Sequence, residues 1–216
     1  MKERVLYGRC GWGSAIVELQ LAWYGLPFRF EDTGDLLDSE DARARLRPLN
    51  AIAQVPTLVL PSDAGEAVVM TESAAITLYL ADLTGRGDLV PGPEAPERAA
   101  FLRWLVFLVA NIYPTFTYAD LPGRFVTAGG DEAQKAFRAE VDAYGRRLWG
   151  VVETAAGGPW LLGSRMSALD FYAAVMTRWR PGRAWFAQHA PRVLAAADAA
   201  AALPACAPVM ARNFKA

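Results

Sequence analysis

Apolar residues recur along this chain with two spacings, and the change from one to the other marks its elements. Residues 4–7 read as a short strand that runs into a glycine-punctuated loop at 8–13. From Ser14 the spacing lengthens to three and four. Ile16, Val17, Leu19, Gln20, Trp23 and Tyr24 lie on helical steps that stop at Gly25. Ser14 stands where an N-cap or first-turn residue belongs, and Gly25 where a C′ glycine belongs. Phe28-Arg29-Phe30 is a second strand, so the opening is strand–helix–strand. That order favours a parallel pair with a right-handed crossover. The charged stretch 38–47 predicts a short exposed helix, and residues 55–60 a strand with Pro56 inside it. Asp63-Ala64-Gly65-Glu66 predicts a hairpin turn into a strand over 67–70, and 71–83 is helical.

Residues 89–96 carry Pro91, Gly92, Pro93 and Pro96 and read as a linker. Beyond them strand signals stop. Helical patterns cover 96–118, 131–154 and 167–179, and alanine-rich helices follow up to Leu203. The expected fold is therefore a small α/β lobe of βαβ–ββα order over residues 1–84, a linker over 85–95, and an all-helical lobe over 96–216.

Composition narrows the function. The chain has 216 residues with 23 acidic and 22 basic side chains, a net charge of −1, so no basic face is available for nucleic acid. Hydrophobic residues make up 53%, enough for a core and against disorder. The N-terminus lacks a signal-peptide apolar region, and the greasiest stretch, 105–112, is far shorter than a bilayer span, so a cytoplasmic location and no membrane partner are expected. Cys10 and Cys206 form no CxxC or zinc spacing. With His189 the only histidine, a serine–histidine triad or a multi-histidine metal site has little to draw on. No metal is expected.

Three local features carry chemistry. Pro56 cannot donate to a ladder, so it marks a sheet edge or a cis bond that turns the Val55 backbone toward a ligand. Thr71-Glu72-Ser73 opens a helix, where free N–H groups and a hydroxyl suit a carboxylate or phosphate; simple capping is the commoner use. Ser14 at the head of the first helix is placed either to cap it or to stabilise a thiolate.

Taken together, these motifs resemble the cytosolic glutathione S-transferase family, and the resemblance runs along essentially the whole chain. It rests on Leu26-Pro27-Phe28, on Leu49-Asn50 leading into Gln54-Val55-Pro56-Thr57-Leu58, and on Thr71-Glu72-Ser73-Ala74-Ala75-Ile76. Trp160-Leu161-Leu162-Gly163 and Ser167-Ala168-Leu169-Asp170 look like the buried capping motif of the family's helical lobe. The resemblance implies a thioredoxin-like first lobe, a cis Pro56 and a homodimer. It implies glutathione as co-substrate, with Val55 pairing with its cysteinyl part, Glu72 and Ser73 holding its γ-glutamyl end, and Gln54 a better polar contact than Asn50. Counted back from Gly25, Gly13 falls where bacterial beta-class enzymes carry a cysteine and Ser14 where they carry the next serine. Ser14 is the first choice for the activating residue, with Tyr7 and Cys10 as alternatives.

The implied activity is attack of an activated glutathione thiol on small hydrophobic electrophiles. Trp12, Tyr113 and Tyr118 are the expected walls of a substrate pocket between the lobes. Glutathione-dependent disulfide reduction or peroxidase chemistry, or a non-catalytic glutathione-binding regulator, are the alternatives. Ala51 and Ala53 depart from the family's usual proline and glycine, and Gly11-Trp12-Gly13 is an unusual catalytic loop.

Overall fold

The computed structural model describes residues 3–61 and 67–214. Among these, one compact unit holds the chain up to Val90 together with the segment from Ala200 onward, and a second holds Pro91–Ala199.

The first unit is built on β1 (Arg4–Gly8), β2 (Phe28–Asp32), β3 (Thr57–Leu60) and β4 (Val68–Met70), in the order β2-β1-β3-β4. Strands β1 and β2 are parallel, with Leu6 opposite Phe30, as the intervening α1 (Ser14–Tyr24) requires. The β1/β3 and β3/β4 pairs are antiparallel. The expected turn at Asp63-Ala64-Gly65-Glu66 lies outside the described residues. Helix α1 is buried from Ser14 to Leu21 and ends where Gly25, at φ 65°, lets the Leu26 N–H return to the Leu21 carbonyl at 2.9 Å. It packs on α3 (Ser73–Thr84), where Gln20 Nε2 donates to Thr77 Oγ1 at 2.9 Å. Leu6, Ile16, Leu19, Leu58, Ile76 and Leu80 form the core, none of them exposed.

Helix α2 (Glu40–Leu46) starts at Ser39, whose hydroxyl accepts from the Ala42 N–H at 3.1 Å. Its charged residues face water, while Ala42 and Leu46 join Leu36 and Ala53 in a small apolar cluster. The strand expected over 55–60 begins only at Thr57. Val55 and Pro56 precede it, because a residue without an N–H cannot enter the β1–β3 ladder.

In the second unit, α4 (Arg98–Phe107), a π-helical turn (Leu108–Ile112) and α5 (Tyr113–Asp120) form one 23-residue rod. Pro114 has no N–H to return to the Ala110 carbonyl, which accounts for the widened turn ahead of it. By length and composition the rod is long and apolar enough to cross a bilayer, well beyond the short stretch read from sequence. Its Phe101, Leu105, Leu108, Ile112 and Phe116 are buried within the protein, while Val106 is exposed. The remaining helices are α6 (Gly130–Ala155), α7 (Ala168–Met176), α8 (Arg183–His189) and α9 (Pro191–Ala201). Helix α7 is started by a capping box in which Asp170 accepts from the Ser167 N–H at 2.8 Å and the Leu161 N–H at 2.9 Å. The last helix, α10 (Ala207–Asn213), packs on α1 within the first unit.

Candidate functional site

Strand register brings three loops to one end of the sheet. Tyr7 sits opposite Thr57 and Leu58 opposite Met70. The residues after β1, before β3 and after β4 therefore meet there: the 9–13 loop, Val55–Pro56 and Glu72–Ser73.

The Val55–Pro56 bond is cis. Asn50, buried, donates to the Gln54 carbonyl at 2.9 Å and to Thr57 Oγ1 at 3.2 Å, and Thr57 Oγ1 donates to the same carbonyl at 2.8 Å. Asn50 is thus committed to bracing the loop, whereas Gln54 is exposed. Ala53 holds φ 49° with its methyl buried in the α2 cluster. Among the described residues the Val55 main chain takes part in no backbone hydrogen bond, so an N–H and a C=O stand unpaired beside β3. Glu72 has φ 61° and ψ 104°, an exposed non-glycine residue in the left-handed half of conformational space. It leads into α3 without a side-chain cap, with Ser73 the first helical residue.

The 9–13 loop is closed by Ser14. Its Oγ accepts from the Arg9 N–H at 3.1 Å and donates to the Arg9 carbonyl at 3.2 Å. The side chain packs where a Cβ on Gly8 would lie 2.4 Å from Ser14 Cβ, so only glycine fits at that end of β1. Ser14 has no exposed surface, and its hydroxyl reaches a ligand only by releasing Arg9. Among the described residues the backbone N–H groups of Gly13 and Ser14 make no backbone hydrogen bond, leaving the first donors of α1 unspent. The Arg9 guanidinium lies 5.4 Å from the Trp12 ring centre and 3.2 Å from Asp35. The Leu37 and Asp38 N–H groups, with Arg9 beside them, hold the Asp35 carboxyl below its ordinary range. Trp12 packs on the α2 cluster together with Tyr7 and Val55. Cys10 is exposed.

Over 209 residues, 96% of this chain and 97% of the other, the sequence is 38% identical to the uncharacterised GST-like protein YncG of Escherichia coli. The chain belongs to the glutathione S-transferase family. The family's N-terminal domain model, "Glutathione S-transferase, N-terminal domain", matches residues 14–83. Glutathione S-transferase GST-4.5 of Xanthomonas campestris is 31% identical over 210 residues, 93% of this chain and 97% of that protein. A solved glutathione transferase homologue from Sulfitobacter, with bound glutathione, superposes with a TM-score of 0.83 at 23% identity over 97% of both chains. The fold class is accordingly the thioredoxin-like lobe and helical lobe of this family.

In this member of the family, the two tyrosines singled out from sequence lie on α5 of the second unit in separate aromatic clusters. Tyr113 meets Trp179 edge-on at 5.6 Å, and Tyr118, partly exposed, meets Phe125 at 4.7 Å. Arg180 bridges Asp120 at 2.7 Å and Asp142 at 3.0 Å, while Arg183 pairs with Asp198, so these cations are spent on the fold. Among the described residues no cluster of histidine, cysteine, aspartate or glutamate has the makings of a metal site. Sequence reasoning passed over Arg9, Asp35 and Asn213. Arg9 belongs to no motif of its loop, and the partners that bring Asp35 and Asn213 to it, Arg9 and Gly11, are distant in sequence.

Proposed function

We propose that the chain binds glutathione along Val55 and the head of α3 and activates its thiol at the start of α1. The unpaired Val55 main chain carries this reading. It lies at the same sheet end as an uncapped helix start. A peptide ligand pairs with the N–H and C=O of Val55, and its γ-glutamyl carboxylate meets Ser73 and the first N–H groups of α3. Glu72 and the exposed Gln54 supply the remaining polar contacts. Glutathione bound in solved relatives supports the assignment.

The chemistry asks little of the protein. A thiol of pKa about 8.5 is a few per cent ionised at neutral pH. Lowering it by about two units needs about 2.7 kcal/mol. A hydrogen bond to the thiolate contributes about 1.5–3 kcal/mol, against about 0.5–1.5 for one to a neutral carbonyl. The Ser14 hydroxyl therefore gains by exchanging the Arg9 carbonyl for sulfur, and the α1 dipole adds about 0.3–1 kcal/mol. The thiolate then attacks a small hydrophobic electrophile held near Trp12, forming a C–S bond as the electrophile's leaving group departs with its electron pair. Two copies assemble as a homodimer in the cytoplasm.

Calorimetric titration of the Ser73→Ala variant tests the binding mode. The expected result is a loss of glutathione affinity of about tenfold, equivalent to about 1.4 kcal/mol. Unchanged affinity would remove the head of α3 from the site.

A further inference from the structure

The last turn of α10 reaches back to the 9–13 loop. Asn213 Oδ1 accepts from the Gly11 N–H at 3.0 Å, while its Nδ2 donates to Glu18 Oε2 at 2.9 Å and to the Val209 carbonyl at 3.0 Å. Arg212 donates to the same Glu18 oxygen and lies over the Phe30 ring. Glu18 stands one helical turn beyond Ser14 and has no exposed surface; its Oε1 has no partner among the described residues. Gly11 holds φ 79°, and a Cβ there would lie 3.4 Å from the Asn213 carbonyl oxygen. Loop and helix end are thus joined by a hydrogen bond, with the backbones of Gly11 and Asn213 at ordinary packing distance.

A Gly-Trp-Gly segment has wide conformational freedom of its own, so what pins it decides where Trp12 and the start of α1 stand. Ser14 pins it from inside. Asn213 pins it from outside, and only a residue with both an acceptor and a donor serves, because Gly11 offers an N–H and Glu18 a carboxylate oxygen. A carboxylate kept from water at this point needs its partners. This makes the Glu18–Arg212–Asn213 group a rigid mount.

We propose that Asn213, oriented by Glu18 and Arg212, is a positioning residue that holds the 9–13 loop so that the sulfur of bound glutathione meets the first donors of α1. The proposal rests on the reading given under Proposed function. Asn213→Asp removes the donor and sets two carboxylates against each other. The double variant Glu18→Gln/Asn213→Asp reverses the 18–213 hydrogen bond and returns a donor to that pair, while the Val209 carbonyl keeps no donor from residue 213 and Arg212 must turn to the other side-chain oxygen of residue 18. Thiolate absorbance of bound glutathione against pH is expected to show the thiol pKa about one unit higher in Asn213→Asp, a tenfold smaller ionised fraction. The kcat with a small aryl electrophile falls with it, while the KM for glutathione changes less than twofold. In the double variant both recover part of the loss, the coupling expected of contacting residues.

A parental pKa and kcat in Asn213→Asp, or equal losses in single and double variants, would overturn the proposal. If Asn213→Asp does not fold, Asn213→Ser, too short to reach Gly11, is read by the same pKa and kcat criteria. Should the parent bind no glutathione, the functional reading fails, and amide exchange of residues 9–13 judges the mount separately. Faster exchange in the single variant and recovery in the double supports it; unchanged exchange overturns it.

Discussion

Glu72 keeps a backbone conformation that glycine adopts freely and glutamate does not, at φ 61° with its side chain exposed and not capping the helix. A left-handed non-glycine residue costs on the order of 1–2 kcal/mol. Among the described residues the side chain makes no hydrogen bond that would offset that cost, and the glutathione contact proposed above would give the residue its use. Glu72→Gly is therefore expected to raise the unfolding free energy by about 1 kcal/mol, less the entropy glycine loses on folding. The same variant should bind glutathione severalfold more weakly. Chemical denaturation and calorimetry check the pair of outcomes. A variant less stable than the parent, or one that binds as well, would contradict the argument. Ala53, at φ 49°, shares the backbone strain, but its methyl is buried in the α2 cluster, so there the two terms nearly cancel.

At the scale of elements, the start of α7 links folding to pH. Burial pushes the Asp170 carboxyl up to about 6, against the Leu161 and Ser167 N–H groups that favour its anion. An unfolded aspartate titrates near about 3.9. Between these values the native protein binds more protons than the unfolded chain, so this group's contribution falls as pH rises from about 4 to about 6 and is level above that. It amounts to about 3 kcal/mol at most. Asp170→Asn should remove the slope while lowering stability throughout, since an amide presents fewer acceptors to the same donors. Urea unfolding between pH 4 and pH 7 checks this; an equal slope in both proteins would refute it.

The same element shows what could be read beforehand. Ser167 and Asp170 stand three apart before an apolar run, a local pattern that needs nothing from the rest of the chain. The order βαβ–ββα was legible for a like reason, because strand and helix spacings are local. The apolar run 55–60 does not show where β3 begins; it begins at Thr57, because the missing N–H of Pro56 keeps it ahead of the ladder. The widened turn before Pro114 was not foreseen either, although the missing N–H was in view. Ser14 was placed correctly at the head of α1. Its burial follows from the fit against Gly8, and access is not a property of residue type.

At the scale of the whole molecule, the chain's two ends meet in one unit, as Gly11 and Asn213 show across nearly its full length. No spacing in the sequence announces that contact. What the whole chain does announce is its family, and under the proposed function glutathione binds at the three-loop end of the sheet and loses its thiol proton there. The direct measurement is a glutathione titration near neutral pH that follows heat and thiolate absorbance together, in the parent and in Ser14→Ala. The account predicts saturable binding with a strong thiolate signal in the parent. In Ser14→Ala it predicts similar affinity and a bound thiol pKa raised by about one unit or more. Binding with no thiolate signal in the parent would contradict the activation, and no heat of binding would contradict the site itself.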